Sequence, residues 1–289
     1  MNRRHSAVIA CAIGVPTALV LLSASVPWMQ TSARQWSVIG LQEAADRRPL
    51  PLPRTRPFPS VLKQKRITSQ STVLAKTSTR AGPALLPIVD QQDIRPHHRL
   101  IAQRVLMTLP PHCRTNLQHF FVLYENARQR GLGGKTTIIL DGSVSDEEFL
   151  SLLVHECGHV THGNLTGTRA SGNSAFLDGR DRFFVDSPAA AFFAISWENE
   201  NVLHERALSQ DFVSGYAKTD AFEDFSESFA AYVLHRELLR ERAKTNAAIA
   251  AKLAWMEAYV PLQENALATS TYVMDAAIPW DITKLSIEY

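Results

Sequence analysis

The stretch Leu152 to Gly163, LLVHECGHVTHG, holds three histidines, one glutamate and one cysteine in twelve residues. His155 and His159 are four apart, so on an α-helix they share a face one turn apart, where two imidazoles can hold one ion. Glu156 sits beside that face. The order matches H-E-x-x-H, in which the histidines ligate zinc and the glutamate deprotonates the water on the metal. The flanking positions Leu152, Leu153, Val154, Cys157, Gly158, Val160 and Thr161 are all uncharged, which predicts a buried helix rather than a solvated one. A glycine is retained inside it despite a cost of roughly 1 kcal/mol against alanine.

Working outward, Lys135 to Leu140 (KTTIIL) reads as a strand, apolar and β-branched between GLGG and DG. Ser145 can cap the helix that follows, with Glu148 three residues on as the capping-box partner, and Gly163 ends it. The longer motif H-E-x-x-H-x-x-G-x-x-H is excluded, because His162 stands where its glycine would be and Leu165 where its third histidine would be. His162 is expected as an exposed helix-end residue. Cys157 lies roughly 160° around the helix from His155 and points away from any metal.

Catalytic zinc takes three protein ligands and one water, so a further ligand must come from elsewhere. In AFEDFSESFAAYVLH, within a helix expected over Ala221 to Ala243, Phe222, Phe225, Phe229 and Val233 form an apolar stripe, and Asp224, Ser228 and His235 a polar face. Glu223 and Glu227 fall between these, one turn apart, on a flank otherwise made of Ala230 and Leu234. Carboxylates there are expensive unless bound or paired. One can ligate the metal while the other accepts the outer N–H of a ligand histidine.

The capped VHECGH helix, followed by a helix carrying a glutamate and a second acid four residues on, resembles the gluzincin metallopeptidases, the thermolysin-like clan. The segment DFVSGYAKTDAFEDFSESFAAYV is similar to that of peptidases related to the anthrax lethal factor catalytic domain, in which a tyrosine precedes the ligand glutamate by seven residues. The likeness covers roughly residues 130 to 240 and implies Glu223 as the third zinc ligand, Glu227 as the partner of a ligand histidine, and Tyr216 as a hydroxyl stabilising the transition state. It further implies an endopeptidase hydrolysing peptide bonds through a zinc-bound water activated by Glu156, with Lys135 to Leu140 as the edge along which an extended peptide substrate pairs; the layout of residues 1–27 makes it an exported one. Two other readings stay open: a zincin-fold protein of the cell envelope that binds without turnover, and a toxin-like protease specific for one protein.

The expected fold is α+β, a mostly helical zincin-like domain with a small sheet, over residues 91–289. Further helices are read at His97 to Leu109, stopping at Pro110-Pro111, at Thr115 to Gly131, and at roughly Asn246 to Tyr259. The stretch 164–211, rich in aromatics, Gly, Ser and Asn, has no legible periodicity and departs from the family pattern. Residues 28–90 read as a linker, with five prolines between Pro49 and Pro59 among many basic and hydroxyl residues. Residues 1–27 carry Arg3 and Arg4, then an apolar run over 7–26 with small residues Ser23, Ala24 and Ser25 near its end, the layout of a signal peptide or an N-terminal membrane anchor, and hence of a periplasmic or extracellular protein. With export, Cys113 and Cys157 can form a disulfide or remain as buried thiols.

The net charge of +2 conceals an asymmetry: residues 1–80 carry 12 Lys/Arg against 2 acids, and the remainder 18 against 26. No basic stripe lies on an expected element of the acidic body, which argues against nucleic-acid binding. No nucleotide loop or serine triad is present.

Overall fold

The computed structural model describes residues 84–262, 267–272 and 277–289. The export segment, with its candidate anchor, and the linker as far as residue 83 lie outside them. The packed body already includes residues 84–90: Val89 is fully buried, and the Leu86 N–H donates to Gln103 Oε1 at 2.7 Å.

Helix α1 (Pro96–Thr108) starts with proline in its first turn, and Leu109 is extended because it precedes Pro110. Helix α2 (Pro111–Asn116) is one short turn-and-a-half with Pro111 leading it. The helix expected over Thr115 to Gly131 does not form. After α2 the chain becomes strand β1 (His119–Leu123), turns through Asn126 at φ 57°, and returns as β2 (Gly131–Gly133). In HFFVL, Phe120 and Val122 point inward and the alternate residues outward. Aromatic and β-branched residues with that alternation fit a pleated surface, and pairing with β3 (Thr137–Asp141) overrides the helical spacing. The sheet order is β1-β3-β2, with β1 parallel and β2 antiparallel to β3. The predicted strand is therefore central, and β2 takes the edge expected of it.

Helix α3 (Asp146–Gly163) is capped by Ser145, whose Oγ accepts the Glu148 N–H at 3.2 Å, while the Glu148 carboxylate expected to complete a capping box accepts from Arg130 and Lys284; Asp146, Glu147 and Glu148 complement the positive end of the helix dipole. It lies against α5 (Ala221–Leu234), whose cap Asp220 accepts the N–H groups of Phe222 and Glu223. The crossing is tight at Gly158, where an added Cβ would lie 2.8 Å from Ser226 Cα. That close approach accounts for the interior glycine. Helix α5 ends at His235, and α6 (Arg236–Ala243) and α7 (Ala247–Tyr259), capped by Asn246, follow.

The polar face expected on α5 is buried instead. Asp224, Ser228 and His235 are all shielded from solvent. Asp224 Oδ2 pairs with Lys252 Nζ of α7 at 2.7 Å and accepts the Trp197 indole N–H at 3.0 Å. A salt bridge with a distant helix removes the need for solvent.

Residues 164–211 resolve into a hairpin of β4 (Asn173–Asp178) and β5 (Asp181–Phe184), helix α4 (Pro188–Phe193), and a small pair of β6 (Trp197–Asn199) and β7 (Val202–Leu203). Among their aromatic residues, Phe192 packs against Phe225 and Trp255, and Phe193 against Phe183 and Phe225. Near the C-terminus β8 (Thr269–Ser270) pairs with β9 (Ile287–Glu288). The fold is thus α+β, mostly helical with small sheets. Cys113 and Cys157 form a disulfide tying α2 to α3. No helix among the described residues is long and apolar enough to cross a membrane.

Candidate metal centre

Because α3 and α5 are held together at Gly158, the faces carrying His155, His159 and Glu223 meet one another. Glu223 Oε2 lies 3.2 Å from His155 Nε2 and 3.5 Å from His159 Nε2, and the three candidate donor atoms fall within 4.8 Å of one another. Donors around a tetrahedral ion with bonds of about 2.0–2.1 Å sit about 3.3 Å apart, so the observed spacing fits such an ion. Glu223 Oε2 is shielded from solvent and accepts no well-aligned hydrogen bond. A buried oxygen facing two imidazole nitrogens suits a shared cation.

Each histidine is oriented from behind. Glu227, fully buried, lies with Oε1 3.0 Å from His155 Nδ1, while its Oε2 accepts from Ser214 Oγ at 2.6 Å and from the Ile282 N–H at 2.9 Å. A proton on Nδ1 directed at Glu227 leaves the Nε2 lone pair facing Glu223. His159 Nδ1 lies 3.1 Å from His162 Nε2. The expectation of an exposed His162 is overturned: it is buried, with its ring against those of Phe183, Phe193, Phe222 and Phe225. Burial, reinforced by His159, drives His162 well below its ordinary range and keeps it neutral. Against the opposing effect of burial, the two imidazoles hold the Glu223 carboxyl low, and Glu223 and Glu227 hold His155 well above its usual value. The two opposite shifts report one thing, the pairing of the Glu223 carboxylate with the imidazoles that face it.

Glu156 is only 4% exposed and lies against β2. A Cβ on Gly133 would come within 2.6 Å of Glu156 Oε2 and 2.8 Å of His159 Cβ, so the strand must be glycine there to approach the motif helix. Burial raises the Glu156 pKa, opposed by His155 and His159, so this carboxyl takes up a proton more readily than an exposed glutamate would. Tyr216 does reach the centre. It begins a 3₁₀ turn just before α5, its N–H donates to Trp280 O at 2.7 Å, and its ring centroid is 6.2 Å from that of His155. Burial, with Glu223 nearby, raises its pKa, so its hydroxyl stays a donor.

A cavity of about 460 Å³ opens over these groups, walled further by Arg128, Leu132, Trp280 and Thr283. Arg130 connects its sides, donating to Glu148 on α3 at 2.9 Å and to Asp281 and Thr283 in the C-terminal segment. The sequence reading missed both β2 and the 279–283 segment. The GLG triplet was a usable signal for close approach; nothing local in IPWDIT marks its place at the site.

No family model, curated protein or solved structure matches this chain. Fold and site together define an α+β domain with a partly buried constellation of two histidines and one carboxylate that could hold a metal ion.

Proposed function

We propose that the protein is an exported zinc-dependent endopeptidase of the gluzincin kind, acting on peptide or protein substrates. The reading rests chiefly on the convergence of His155 Nε2, His159 Nε2 and Glu223 Oε2, with Glu156 buried beside them. Two imidazoles and a carboxylate are a donor set used by catalytic zinc. Bound there, zinc would supply a Lewis acid that polarises the scissile carbonyl and acidifies water.

The remaining chemistry belongs to the chain. Glu156 acts as general base toward the attacking water and then passes the proton to the leaving amine. The Tyr216 hydroxyl donates to the carbonyl oxygen as negative charge develops on it. An extended substrate adds alongside β2, the edge strand of its sheet that lines the cavity. Leu132 on that strand and Trp280 opposite are 52% and 72% exposed, offering apolar surface to substrate side chains. Export is supported by the N-terminal layout and by the Cys113–Cys157 disulfide, a bond that persists in oxidising compartments.

The test is casein hydrolysis by the full chain with and without a chelator, beside Glu156→Gln. General-base loss predicts a fall of roughly 10²- to 10⁴-fold with metal content unchanged. Hydrolysis that survives chelation, or an equal rate in Glu156→Gln, would refute the proposal.

A further inference from the structure

A second cluster lies where α1 meets the first turn of α3, about 14 Å along α3 from His155 by helix rise. His98 is 1% exposed, its ring stacked between Phe149 at 4.0 Å and Tyr124 at 5.6 Å. Its Nδ1 is 3.0 Å from the Tyr124 hydroxyl, which also accepts the Arg95 N–H at 2.8 Å. Its Nε2 is buried and has no hydrogen-bond partner. That atom points to Asp146 Oδ1 at 3.6 Å, beyond hydrogen-bond reach, and His97 Nε2 stands 3.5 Å from the same oxygen.

The three donor atoms fall within 4.8 Å of one another, with nitrogen-to-oxygen spacings close to the 3.2 and 3.5 Å of the first centre. A buried nitrogen without a partner is costly, and a cation between it, a second imidazole and a carboxylate would satisfy all three. We propose that His97, His98 and Asp146 form a second divalent-cation site that staples α1 to the start of the motif helix. Two imidazoles and one carboxylate select a borderline ion such as zinc over calcium or magnesium. Since His97 and Asp146 are each half exposed, the ion exchanges with solvent, and its binding stabilises the fold in proportion to its free concentration.

The full chain carrying Glu223→Gln, which weakens the first centre, is titrated with zinc alone by calorimetry, beside the same chain with His97→Gln or Asp146→Asn added. Both additional positions are half exposed, and circular dichroism checks that the fold is kept. The expected result is one fewer ion bound in each double variant, together with loss of the zinc-dependent rise in Tm. The same number of ions in Glu223→Gln and in both double variants overturns the proposal.

Discussion

His162 occupies no ligand position, yet it bears on one through its contact with His159 Nδ1 at 3.1 Å. Replacing it with phenylalanine keeps the aromatic packing and removes the acceptor, so His162→Phe should bind zinc about 10- to 100-fold more weakly while remaining folded. Competition against a chromogenic chelator measures this; unchanged affinity would show that His162 does not orient His159. Its place was open to inference, because positions 155, 159 and 162 form one helical stripe, but the adjacent Gly163 suggested a frayed end. Helical arithmetic likewise placed Glu223 and Glu227 on one flank. Asp224 escaped it: its partner Lys252 lies on another helix, 28 residues away, and no local pattern announces that pairing.

At the scale of elements, the site depends on how closely α3 and α5 approach. In an isolated helix Gly→Ala gains up to about 1 kcal/mol. At position 158 the added Cβ would sit 2.8 Å from the Ser226 backbone, so Gly158→Ala should instead destabilise by about 1–3 kcal/mol, as overpacking does. Chemical denaturation decides the sign, and a gain in stability would mean the helices can separate at no cost. The motif helix was readable because its cap, period and stop are local. Strands β1 and β2 were not, because HFFVLYEN satisfies helical spacing as well as alternation, and only pairing with β3 decides between them. The helix read through Ala243 breaks at His235, whose φ of −131° belongs to no helix.

For the whole molecule, His235 joins α5 and α6 to the C-terminal pair, with Nδ1 2.7 Å from Ser270 Oγ. Burial lowers its pKa from 6.5 to about 4. A depressed histidine binds its proton more readily in the unfolded chain, so its contribution to stability is complete above about pH 6.5 and lost as pH falls toward 4. Tm should therefore drop less steeply across that window in His235→Asn than in wild type, with other titrating groups common to both proteins. Parallel profiles would remove His235 from the acid response.

The central claim is that His155, His159 and Glu223 hold a zinc ion. It is tested most directly by zinc content, measured by elemental analysis on the full chain of wild type and Glu223→Gln after identical dialysis. The account predicts one ion per chain more in wild type than in the variant. Equal content in the two, with both folded, would contradict it.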